Sequence, residues 1–89
     1  MKERYLEVTY RRGKILAAYL YLPRKTDDTS MRTQEIQPGL VIDFSADGRA
    51  IGVELTAPQL VTPEAINRAL EQIGQEPMAA AEMTPLAAA

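Results

Sequence analysis

The chain alternates early. In YLEVTY (residues 5–10) Leu6, Val8 and Tyr10 share one face and Tyr5, Glu7 and Thr9 the other, the pattern of a half-buried strand. RRGK (11–14) reads as a turn, with Gly13 free to take positive φ. ILAAYLYL (15–22) is apolar on both faces and suits an interior strand ended by Pro23. A short helix is the rival reading there, because Leu16, Ala17, Leu20 and Tyr21 also fit helical spacing. After the polar loop PRKTDDTS (23–30), MRTQEIQ (31–37) is a weak strand whose polarity suits a sheet edge. Gln37-Pro38-Gly39 is a turn of type II composition. LVIDFS (40–45) and RAIGVELTA (49–57) are the clearest strands, joined through SADG.

A helix follows. Thr62 is placed to cap it, Pro63 fits the first helical position, and Glu64 sits near the positive end of the dipole. Ile66, Leu70 and Ile73 form a narrow apolar stripe, and Gly74 is placed to terminate the helix. The tail, QEPMAAAEMTPLAAA (75–89), is rich in Ala, Met and Pro. It reads either as a disordered terminus or as a short helix, AAAEM, bounded by Pro77 and Pro85. The expected fold is α+β: a small, mostly antiparallel sheet, a meander of four or five strands, with one C-terminal helix (about 63–73) on a face. The domain is expected over 1–74, with 75–89 as a tail.

The pattern also narrows the register of the central hairpin. Leu40, Ile42 and Phe44 share a face, as do Ile51, Val53 and Leu55. A two-residue Asp47-Gly48 loop sets Phe44 opposite Ile51 and keeps both sets on one side. A three-residue Ala-Asp-Gly loop with a bulge at Gly48 sets Phe44 opposite Ala50 and sends the two sets to opposite sides. In the first register Asp43 faces Gly52 and Glu54 faces Val41. The two carboxylates are then diagonal neighbours about 7–8 Å apart at Cα. That distance is too long to share a proton, and no third partner is evident. Gly52 would leave open space beside Asp43 for a ligand or another backbone.

Composition removes whole classes of chemistry. The chain has 89 residues, one small domain, with no cysteine and no histidine. Disulfides, thiolate sites, imidazole bases and serine triads are all excluded. MKERYLEVTY is not read as a signal peptide, and no run approaches the ~20 apolar residues of a membrane span. The reading is a soluble, cytoplasmic, bacterial protein. Charge is uneven: residues 1–37 hold eight Lys/Arg and five Asp/Glu, net +3, and residues 38–89 hold two and seven, net −5. Such asymmetry favours self-association or a charged partner.

TQEIQPGLVIDFSADGRAIGVELTAP, preceded by a strand, a turn and an apolar strand with Tyr, resembles the DUF2283 family of short prokaryotic proteins of unknown function. The resemblance runs over roughly residues 8–57 and is most specific from Glu35 to Glu54. It implies a small β-rich fold and no activity. The chain departs from the family where acidic residues usually follow the first strand; here Arg11, Arg12, Gly13 and Lys14 stand there.

Asp43 and Glu54 are the candidate carboxylates. Hard cations take such oxygens, but two make a thin site, and Glu35 joins only if its strand is adjacent. The plain alternative is a solvated face, or an ion pair with Arg49 or Arg32. No catalytic residue, cofactor or metal site is assigned. Arg11, Arg12, Lys14, Arg24 and Lys25 could meet phosphates, yet RRGK and PRK lie about 25 Å apart at ~3.3 Å per residue, at opposite ends of a strand. Tyr19 and Tyr21, with Ile15 and Ala17, form an apolar face, and Leu16, Ala18, Leu20 and Leu22 form another. One three-turn helix covers one face, so the other is capped by the tail or by a second chain. The positions marked for a ligand or interface are Asp43, Gly52, Glu54, Tyr19 and Tyr21. The expected function is a non-enzymatic, homo-oligomeric accessory or regulatory protein that binds another protein. The alternatives are a nucleic-acid-associated, antitoxin-like regulator and a carboxylate-based metal-binding protein or enzyme.

Overall fold

One hairpin, a three-strand meander and a helix-capped face account for the described residues. The computed structural model describes residues 3–87, and the side chain of Ala87 is outside that description. Strands β1 (Tyr5–Arg11) and β2 (Lys14–Tyr21) turn through Arg12 and Gly13, both at positive φ, which matches the twist of a tight hairpin. Strands β3 (Arg32–Gln37), β4 (Leu40–Phe44) and β5 (Ala50–Leu55) form a three-strand meander. The halves join where β2 pairs with β5, giving one antiparallel sheet of order β1-β2-β5-β4-β3. β2 is thus the interior strand its sequence implied, and β3 is one of the two edges, with β1 the other. The β2–β3 connection must cross from mid-sheet to the far edge. Asp28, within that crossing, is fastened by Arg49 (2.7 Å), which also holds Asp47 (2.8 Å).

Both hairpin registers considered from sequence occur, in different parts of one hairpin. Ser45 pairs with Arg49 around a three-residue loop with Gly48 at φ +86, and Phe44 pairs with Ala50. The register then shifts by one between Phe44 and Asp43, so that Asp43 faces Gly52, Ile42 faces Val53 and Val41 faces Glu54. The extra residue, Ile51, is fully buried but apart from the main core cluster. The bulge reconciles the loop chemistry of Ala-Asp-Gly with the apolar pattern of the strands. It keeps Ile42 and Phe44 on the core side with Val53 and Leu55.

Helix α1 (Pro63–Gln72) begins as its sequence implies: the Thr62 hydroxyl accepts from Ala65 N at 3.1 Å. It ends in a Schellman motif, with Gln75 N bonding Leu70 O and Gly74 N bonding Glu71 O. The tail is not featureless. Helix α2 (Ala80–Ala87) runs through Pro85 instead of stopping before it. Glu82 reaches back to Ala79 N at 2.9 Å, half of a capping box. Arg4 binds Glu82 and the carbonyls of Glu76 and Pro77, tying the tail to the start of the sheet.

Both helices pack on the same face. Ile66 and Leu70 of α1, and Met78 and Met83 of the tail, join Leu20, Leu22, Leu40, Ile42, Val53 and Leu55 in one core. The tail therefore does not cap the second face. Among the described residues, no helix is long and apolar enough to cross a membrane.

Candidate functional site

Directly opposed residues of an antiparallel pair point to the same side, so the pairings assemble the helix-free face in rows. Tyr5, Tyr21, Gly52, Asp43 and Thr33 form one row across all five strands, and Glu7, Tyr19, Glu54, Val41 and Glu35 form the next. All five positions marked from sequence (Tyr19, Tyr21, Asp43, Gly52 and Glu54) fall in these two rows.

Gly52 is the centre of the arrangement. The Tyr19 side chain lies across it from β2, and its hydroxyl donates to Asp43 Oδ2 at 2.8 Å. A Cβ placed on Gly52 would overlap the Tyr19 hydroxyl and ring. The space that sequence reasoning left open to a ligand is thus filled by this chain's own tyrosine, a cross-strand aromatic laid over a sheet glycine. Asp43 is 4% exposed despite its charge, because Tyr19 covers it. Burial, followed by the bond to Asp43, pushes the Tyr19 phenol up to about 12, so it remains a donor.

Glu54 completes the cluster. It sits opposite both Tyr19 and Val41, half-buried, with its carboxyl beside that of Asp43. Burial first, and then the bond and charge of Asp43, push its pKa up to about 7. The expectation that the two carboxylates are too distant to share a proton, and lack a third partner, is therefore corrected. Diagonal Cα spacing is a backbone measure, and the longer Glu54 side chain spans it; Tyr19 is the third partner. Asp43 Oδ1 is buried without another donor among the described residues, and a protonated Glu54 is the neighbour able to supply one.

Neither proposed ion pair with this cluster forms. Arg49 is committed to Asp28 and Asp47, and Arg32 lies over the Phe44 ring at 4.2 Å. Arg24, which the sequence reading grouped with phosphate-binding cations, instead lies over Tyr21 at 5.2 Å and donates to the Ile51 carbonyl. Tyr5 stacks on Tyr21 with ring centres 4.6 Å apart, and Tyr21 meets Tyr19 at the same separation. Glu35 lies on this face, but no three acidic side chains among the described residues converge as metal ligands would. An apolar groove of about 420 Å³, lined by Leu55, Val61, Ile66, Met83 and Leu86 among others, lies on the helix side, away from the carboxylates.

The raised Glu54 pKa has a definite consequence for stability. Between about pH 4.5 and 7 the folded state holds a proton on Glu54 that the unfolded chain has released. This contribution is fully present below about pH 4.5 and is lost as pH rises through about 7. Asp28, Asp47 and Glu82 act oppositely. The Arg49 bond to Asp28, the Ser45 and Arg49 bonds to Asp47, and the Ala79 N–H and Arg4 bonds to Glu82 hold those carboxyls below their usual range. The comparison with Glu54→Gln isolates the one group. Relative to the wild type, Glu54→Gln should gain roughly 1–2 kcal/mol between pH 5 and pH 8, allowing for screening by water. Denaturant titrations at those two pH values measure it, and parallel curves would remove the shared proton.

The stretch that builds this cluster, from β2 to the end of β5, is also the stretch with a family match. Residues 17–57 match the DUF2283 family model. That family is described as a protein of unknown function. No curated protein and no solved structure significantly matches the chain. The matched segment contains Tyr19, Tyr21, Asp43, Gly52 and Glu54, whereas β1, its basic turn and both helices lie outside it. The match starts later than the resemblance at about residue 8 suggested, past the Arg11–Lys14 departure.

What the sequence reading missed is the role of Tyr19. Its signal is a tyrosine on an interior strand and a glycine on another, but their meeting depends on β2 pairing with β5, which no turn encodes. Arg4 carries no sequence signal for its bonds to the tail.

Proposed function

We propose that this protein is a small, non-enzymatic binding protein that self-associates through the helix-free face of its sheet and acts as an accessory to another protein. The observation that carries the reading is the placement of both helices on one side, leaving the opposite face with Tyr5 half-exposed and stacked on Tyr21. A tyrosine-bearing flat face without a covering layer is the kind of surface that buries itself against another protein. The carboxylates argue for structure over catalysis. Asp43 accepts from Tyr19 through Oδ2 and is 4% exposed, so it is covered from a substrate. The split of basic residues also supports protein over nucleic acid, since Arg24 is engaged at one end of β2 and Arg11, Arg12 and Lys14 lie at the other.

The expected result is a dimer or larger in sedimentation velocity or light scattering at micromolar concentration. Tyr5→Asp, an exposed substitution that leaves the core intact, should shift it toward monomer. A wild-type chain that remains monomeric across that range would end this reading.

A further inference from the structure

Charge on the helix-free face is arranged in bands, and the bands point to a specific way for two copies to meet. Along β1 and β2 the face carries Glu7 with Tyr19, then Thr9 with Ala17, then Arg11 with Lys14. β1 alternates without interruption here, because the register slip near Thr9 places its extra residue, Leu16, on β2. Tyr10, between Thr9 and Arg11, turns the other way and donates to the Pro85 carbonyl of α2. Glu54 of β5 lies next in the row beside Tyr19, and its charge joins that of Glu7 only above about pH 7. The small Thr9–Ala17 pair thus separates an acidic band from a basic one, each two residues away, or about 7 Å along the strand.

We propose that two copies stack these faces with their strands reversed about a twofold axis that runs across the strands through Thr9 and Ala17. The inference rests on the self-association reading and names its contacts. Such an axis keeps β1 and β2 each above its own copy and exchanges their ends, while β5, β4 and β3, which lie wholly on the Glu7 side of the axis, extend past the partner's sheet. Arg11 of one copy then lies over Glu7 of its partner, and Lys14 lies over the Tyr19 ring between Glu7 and Glu54. The symmetry makes each contact twice. Stacking in the unreversed sense would set acid on acid and base on base. The small side chains at the axis let the two sheets approach closely. Arg11, Lys14 and Glu7 are exposed and have no ion pair in the monomer among the described residues, so they are available for this exchange. Within one chain Arg11 and Glu7 are four strand residues apart, about 13 Å, too far to satisfy each other.

The experiment is charge exchange between copies. Arg11→Glu alone and Glu7→Lys alone should each weaken dimerisation by about ten- to a hundred-fold, because like charges then face each other. An equimolar mixture of the two variant chains should form a heterodimer with near wild-type affinity, since both contacts are then of opposite sign. Sedimentation velocity with one chain fluorescently labelled reads this directly, and circular dichroism melts check that each chain is folded. The wild-type dimer should also weaken as salt rises. Dimers that are unaffected by either reversal overturn this docking while leaving self-association standing. Two weakened variants that do not rescue each other also overturn it. A monomeric wild type removes both readings at once.

Discussion

Gly52→Ala should destabilise the fold by about 2–4 kcal/mol, a large cost for one methyl group on a sheet. The new Cβ cannot coexist with the Tyr19 ring, which crosses Gly52 to reach Asp43. The ring must swing out, and the consequences follow together. Its contacts over the glycine are lost, and Asp43, now 4% exposed, loses its phenol donor. A buried acceptor stripped of its partner costs about 1–3 kcal/mol by itself, more when charged. In an 89-residue domain this loss corresponds to a fall in melting temperature of roughly 10–20 °C. The specific check is a double-mutant cycle: in a Tyr19→Ala background the added cost of Gly52→Ala should fall to about 0.5 kcal/mol or less. An equal cost in both backgrounds would mean that backbone effects, not Tyr19, make glycine necessary.

Ending the chain after Gly74 should cost about 3–5 kcal/mol. Met78 and Met83 are 5% and 8% exposed and fill the core beside Ile66 and Leu70. Burial of a methionine side chain contributes about 1.5–3 kcal/mol, and both would be removed. The Asn67 side chain would lose its bonds to the Met78 backbone, made at 2.8 Å to N and 3.4 Å to O. Arg4, which holds Glu82 and two tail carbonyls, would lose all of them. Urea unfolding of the truncated and full chains gives the difference; a loss under about 1 kcal/mol would show that the tail is dispensable to the fold. A double substitution, Met78→Ala with Met83→Ala, separates packing from chain length.

These two experiments probe opposite degrees of legibility. The helix at 63–72 could be read almost completely, because its determinants are neighbours in sequence. Thr62, Pro63 and Gly74 act within a few residues of where they stand. The turn at Arg12-Gly13 was legible for the same reason. The central hairpin was half legible. Its loop residues fitted a two-residue and a bulged three-residue turn alike, and a single inserted residue, Ile51, lets the three-residue turn coexist with the apolar alternation. The tail was the least legible part, because alanine and methionine carry helical preference but no address. The carboxylates were visible as residues and not as a cluster, since Tyr19 and Glu54 meet only when β2 and β5 are side by side.

The sequence by itself determined the five strands, the first helix with its ends and most of the alternation within strands, since caps, turns and alternation act over a few residues. The tertiary structure decided which strands lie together, that both helices share one face, and that Tyr19 fills the space over Gly52. Those choices turn on burying apolar area and pairing polar groups across long stretches of chain. Many arrangements satisfy the local rules equally, and only the global competition for burial selects among them.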